Sequence, residues 1–363
     1  MEIIMLCCPF SSPDPVAAVT LPDPRLVYRQ LAVAGPLIAL PPYAAVTLSP
    51  ALAAAALNHP LLGVRPPEAP VPPALQGTAA GTVFAALVRM RDGVAHRPLK
   101  SALRTALESL PPSQVTATAA RLANQLAADR PLLPAALTRF CYALPICVIA
   151  DFIGLPPEHR PVLVDEVLAL VRCIAPGGTP AQLTAGSRAA ETLLARVERA
   201  TPGPLWRALD AACEQEGLTD KSLVPLNLIG LLFQACEGTA GLIGQSLLAE
   251  GAPAARVAQV LRETPPIQNT RRVAQADTDL GGCPLAKGGQ VLVVLGAPDA
   301  AGTLAFGAGP HACPGRQWAV AIAEVAVAHL LACPAQQSHT TAYRWRVSAN
   351  ARVPEFISPG DEP

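Results

Sequence analysis

Cys313 stands in Phe306-Gly307-Ala308-Gly309-Pro310-His311-Ala312-Cys313-Pro314-Gly315-Arg316, a stretch with the composition of a loop. The run that follows, Gln317 to Leu331, has no breaker and is almost wholly apolar, which predicts a buried helix. Cys313 is therefore expected just ahead of a helix N-terminus, where unpaired N–H groups and the helix dipole stabilise an anion. A thiol in that position has its pKa lowered and can persist as a thiolate. The surrounding glycines let backbone amides approach the sulfur and form an anion-binding nest. The plainer alternative is a buried structural cysteine in a Gly-rich turn.

Two other stretches carry residues able to do chemistry. After the turn signal Asp92-Gly93, His96 and Lys100 stand four apart and so share one face of a helix. Ser222 to Glu250 is apolar nearly all round and should cross the interior, interrupted by Gln234, Glu237 and Gln245. An acid in so apolar a helix reads first as a buried carboxylate paired with a basic group.

The spacing F-x-x-G-x-H-x-C-x-G, filled here by Phe306, Gly309, His311, Cys313 and Gly315, resembles the haem-ligating loop of the cytochrome P450 superfamily. The resemblance runs in order from about Asp23 to about Ile357. It implies a mainly α single-domain fold with small β-sheets and one haem b, whose iron takes the Cys313 thiolate as axial ligand. By the same resemblance Phe306, Gly307 and Gly315 shape the loop around the sulfur, and His96, Lys100, Arg272 and His311 hold the haem propionates. Lysine at 100 stands where the family has arginine, keeping the charge and losing the bidentate fork. The long apolar helix aligns with the one crossing the distal face of the haem, through Gln234-Ala235-Cys236-Glu237-Gly238-Thr239. Ala235 lines the haem, and Glu237, Gly238 and Thr239 occupy the catalytic positions.

Three departures from the family pattern accompany these matches. Gly238 replaces the threonine whose hydroxyl helps deliver protons; it can instead loosen the helix and admit water, while Thr239, about 100° further round, faces away. Gln259 replaces the glutamate of E-x-x-R, with Arg262 retained. The meander before the cysteine loop is shortened to Ala297 through Leu304. Gln259 and the short loop read as one linked adaptation, since a buried glutamate lacking its second cation would be costly.

The elements that position these residues follow from the rest of the chain. Of 363 residues 51% are hydrophobic and 15% charged, against roughly a quarter charged in ordinary soluble domains, so a large core is expected and disorder is excluded. The balance of 27 basic and 27 acidic residues gives no reason to expect nucleic acid or an acidic membrane surface as partner. Forty prolines predict frequently punctuated helices. The 10 cysteines form no CxxC pair and several fall in apolar runs, which fits a reducing cytoplasm. Residues 1–22 read as a poorly ordered extension without a basic n-region, and 23–363 as one domain.

The expected activity is oxidation of a small organic molecule in a biosynthetic pathway, as a monooxygenase served by a ferredoxin- or flavodoxin-type donor. A peroxide-dependent or non-oxidative haem-thiolate enzyme, or a silent partner-binding relative, are the alternatives.

Overall fold

The computed structural model describes residues 13–127, 131–297, 302–333, 342–358 and 360. In chain order its elements are α1 (Pro24–Ala32), β1 (Leu37–Leu40), β2 (Tyr43–Thr47), α2 (Pro50–Asn58), β3 (Leu62–Gly63), α3 (Ala79–Ala86) and α4 (Gly93–Glu108). Then come α5 (Pro112–Ala127), α6 (Pro134–Ile153), α7 (Arg160–Ile174), α8 (Pro180–Arg199), α9 (Pro204–Gln215), α10 (Leu223–Leu248) and α11 (Pro253–Glu263). The chain closes with β4 (Asn269–Ala274), β5 (Thr278–Leu280), β6 (Cys283–Leu285), β7 (Gln290–Val294), α12 (Arg316–Leu331), β8 (Tyr343–Trp345) and β9 (Pro354–Phe356).

Proline acts here mostly as a starter. It fills the first turn of α1, α2, α6, α7, α8, α9 and α11, where its missing N–H costs nothing. Asp23, Ser49 and Thr179 cap α1, α2 and α8 through their side-chain oxygens, and Thr179 with Gln182 forms a full capping box.

The helices gather round α10, which packs on α6, α8, α11 and α12. Leu228, Ile229 and Leu232 are fully buried on it, each worth about 2 kcal/mol of burial. Both α6 and α10 have the length and apolarity of a bilayer span, but 78% and 67% of their apolar windows are buried inside the molecule. They are core helices. Beside this bundle lies a five-stranded sheet in the order β1-β2-β7-β4-β3, antiparallel except for the parallel pair β2–β7. β5–β6 and β8–β9 form separate antiparallel hairpins.

One expectation is corrected at the N-terminal end. Residues 1–12 lie outside the described residues, but 13–22 are packed, not loose: Ala18 and Val19 are fully buried. Buried Arg352 explains why. Its guanidinium donates to the carbonyls of Val19 at 2.8 Å, Leu21 at 2.5 Å and Pro22 at 2.6 Å, and lies 3.6 Å from the centre of the Trp345 ring.

Candidate functional site

The loop carrying Cys313 is built by its glycines. Gly307 and Gly309 have φ of +70° and +66°, a region L side chains rarely adopt, and a Cβ on Gly309 would lie 2.6 Å from Asn58 Oδ1. The turn closes when the Cys313 N–H donates to the Phe306 carbonyl at 2.9 Å. Gly315 is the N-cap of α12, and its backbone N–H lies near enough to the Cys313 sulfur to favour the thiolate. Arg316 lies over the Phe306 ring at 5.3 Å.

Cys313 is reachable by water and yet enclosed by protein on most sides, so it opens into a cavity, not onto the outer surface. That environment corrects the expectation of a lowered thiol pKa. Burial pushes the Cys313 thiol up, while the Gly315 N–H, Lys100 and Arg89 pull the other way without prevailing. A thiolate here needs a cation on the sulfur itself, and metal binding supplies one.

His96, Lys100, Arg272 and His311 come together beside this loop. His96 and His311 stack with ring centres 4.2 Å apart, and His311 Nε2 lies 2.9 Å from Asp92 Oδ1. Asp92 also accepts the Val64 N–H at 2.8 Å, so the residue that caps α4 in sequence instead ties the two loops together. Lys100 Nζ donates to the Ala312 carbonyl at 2.5 Å, reaching the residue before the cysteine. Arg272 is 3% exposed, and among the described residues its Nη1 bonds only to the Arg271 carbonyl, at 3.0 Å.

Burial above all, then His311 and Lys100, bring His96 down to about 4, so it is neutral near pH 7. Burial likewise lowers Lys100 and Arg272. Among the described residues, His96 Nε2 is buried with no hydrogen-bond partner. An orphaned donor or acceptor of that kind is costly unless something not yet counted pairs with it.

On the opposite wall is the middle of α10. Both ends of this helix are buried, but Leu231, Phe233, Gln234, Ala235, Glu237 and Gly238 retain partial access, and by helical angle they form one arc. Thr239 is 4% exposed and lies outside the arc with buried Cys236, so it does not share the face of Gly238 and is not placed to serve the cavity. Nor does Gly238 open the helix, because α10 runs unbroken from Leu223 to Leu248. Glu237 is paired: Arg346 Nη1 donates to its Oε1 at 2.6 Å and to the Tyr142 hydroxyl at 3.1 Å. Arg346 follows β8, and no motif in the sequence marks it. Arg89, also missed, enters the same cavity from the turn before α4, its guanidinium 5.7 Å from the centre of the Phe233 ring.

The altered E-x-x-R stands elsewhere, and one part of its reading is corrected. Gln259 and Arg262 are not a buried pair: Gln259 Nε2 donates to Glu263 at 3.3 Å, and Arg262 lies 3.7 Å from Glu263 with its side chain 55% exposed. Gly302, within the shortened loop, presses against this corner, where an added Cβ would lie 2.7 Å from the Leu261 carbonyl. Part of the shortened loop, 298–301, lies outside the described residues.

The residues fit haem b. A single accessible cysteine at a helix N-terminus suits the iron, and the orphaned His96 nitrogen and the sparsely bonded Arg272 suit acidic propionates.

No protein-family model matches the chain. It is similar to the biotin biosynthesis cytochrome P450 of Bacillus subtilis (strain 168), 27% identical over 233 residues, covering 54% of this chain and 59% of that protein. It is also similar to cytochrome P450 105C1 of a Streptomyces species, 31% identical over 248 residues, covering 54% and 62%. The chain thus aligns with about three fifths of the length of these curated relatives. Among solved structures, P450BioI in complex with an acyl carrier protein ligated to hexadec-9Z-enoic acid superposes with a TM-score of 0.74. The match covers 92% of this chain and 97% of that one at 22% identity, a likeness of fold.

Proposed function

Since the chain belongs to the cytochrome P450 superfamily, we propose that it is a haem-thiolate oxidoreductase acting on a small organic molecule in a biosynthetic pathway. The reading is supported by the accessible Cys313 sulfur just ahead of α12, with Lys100 bonded to the neighbouring Ala312 carbonyl and His96, its Nε2 orphaned, stacked on His311.

Cys313 would hold the iron, while His96, Lys100, Arg272 and His311 would hold the propionates. Bound there, haem supplies oxygen activation, with electrons delivered by a ferredoxin- or flavodoxin-type donor. The Gly315 N–H on the sulfur stabilises its negative charge and so tunes its donor strength. Phe233, Ala235 and Gly238 present apolar surface to the substrate and limit water. Glu237 is the one acid of the α10 arc, and its Oε1 is held by Arg346. A proton moved by this carboxylate must pass while Arg346 keeps it oriented, or after Arg346 swings aside. Gly238 offers no hydroxyl to help. That gap favours a second reading, in which the oxidant is peroxide, or no net oxidation occurs and the substrate's own groups or ordered water move the protons.

The test is the absorption spectrum of the purified protein, as isolated and then reduced under carbon monoxide. A thiolate-type Soret band that disappears in Cys313→Ala is expected. Failure to take up haem after reconstitution would overturn the reading in favour of a partner-binding relative without chemistry. Turnover with a donor protein and dioxygen, set against turnover with peroxide alone, separates the two enzymatic readings.

A further inference from the structure

The cavity over α10 contains a cation that the protein itself leaves unpaired. Arg89 follows directly on a backbone segment stapled to α10. Asn227, 1% exposed, accepts the Val88 N–H at 3.0 Å through its Oδ1, and its Nδ2 donates to the carbonyls of Ala86 at 3.0 Å and Leu223 at 2.9 Å. All of its amide atoms are thus used to fix the residues next to Arg89. A staple of this kind pre-sets the direction in which the Arg89 side chain leaves the backbone.

That direction is into the cavity. The guanidinium stands over Phe233, one helical turn before Glu237, and faces both the Glu237 carboxylate and the Cys313 sulfur. Glu237 is not free to neutralise it, because Arg346 already holds that carboxylate at 2.6 Å. Among the described residues Arg89 has no ion-pair partner and makes no hydrogen bond. The arc therefore carries two arginines against one carboxylate. Arg89 keeps exposed surface; the protein around it pulls its guanidinium below the usual range, while Glu237 and Cys313 pull the other way. A cation partly enclosed by protein and without an ion-pair partner is stabilised by an anion bound beside it. The planar fork of arginine suits a carboxylate at two points at once.

We propose that Arg89 is the specificity-determining residue of the distal cavity and that the substrate is a small carboxylic acid. Its carboxylate meets the Arg89 fork, and its apolar body lies along Phe233, Ala235 and Gly238. This rests on the haem reading above for the orientation of the ligand, though not for the charge preference itself.

The holoprotein is titrated with 3- and 4-(imidazol-1-yl)benzoate and with the matching carboxamides, following the Soret shift as the imidazole nitrogen binds iron. The imidazole secures binding whether or not Arg89 contributes, so the acid-to-amide affinity ratio isolates the charge. For at least one isomer the acid is expected to bind about tenfold more tightly than the amide, the size of one charge-assisted contact. In Arg89→Gln that ratio is expected to fall to near unity, and Arg89→Lys to retain part of it. Equal affinities in the unaltered protein overturn the proposal, as does a preference that survives Arg89→Gln. Loss of haem from Arg89→Gln with the preference intact also overturns it and assigns Arg89 to a propionate. If the protein takes up no haem, the reading of the site fails separately. The same acid and amide pairs are then compared by thermal shift on haem-free protein, where equal shifts overturn the proposal too.

Discussion

At Glu237 the pairing with Arg346 decides more than the identity of the acid. The two side chains are 24% and 19% exposed, enough shielding for the loss of one partner to be felt by the other. Arg346→Met is expected to cost about 2 kcal/mol in denaturant unfolding by leaving a half-buried carboxylate without its cation. Adding Glu237→Gln should recover part of that loss, and a double-mutant cycle showing no coupling would disprove the pairing. Gly238 makes the opposite prediction. An added Cβ would meet only Ile267, at an ordinary 3.8 Å, and the backbone is helical, so Gly238→Ala should stabilise by about 0.5–1 kcal/mol. An unchanged or lower melting temperature would show that the glycine is needed for shape. The residues of the cysteine loop were legible in the sequence because five fixed positions fall within ten residues. Arg89 and Arg346 were not, because a lone arginine in a turn or tail reads as solvated until its neighbours are known.

The elements themselves were largely legible. The apolar run at Ser222–Glu250 became α10, since periodicity is a local signal, and Gly154, at φ +97°, ends α6. What escaped was the angular detail of α10. The arc that opens on the cavity depends on which neighbours stop short of it, a fact of tertiary packing. The surface position of Gln259 escaped for the same reason. The burial argument predicted a costly charge there; instead Gln259→Glu should change stability by no more than about 0.5 kcal/mol. The new acid would stand four residues from Glu263, with Arg262 near both. A loss of several kcal/mol in thermal or chemical unfolding would restore the buried reading. Asn227 is the contrasting case: Asn227→Ala should cost about 3 kcal/mol, because it strands the Val88 N–H and the Ala86 carbonyl in the core.

Across the whole molecule, the packed segment 13–22 and the tail are joined through one side chain. Arg352 satisfies three carbonyls of the N-terminal segment, while its own carbonyl accepts from Gln245 of α10 at 3.0 Å. The bond to Val19 spans 333 positions of the chain. During synthesis, residues 13–22 therefore leave the ribosome long before the side chain that fixes them, since 333 positions separate Val19 from Arg352. For most of translation Ala18 and Val19 must wait, apolar and uncovered, until Arg352 has been made. Any premature stop before that codon yields a product in which residues 19–22 lack the side chain that holds them.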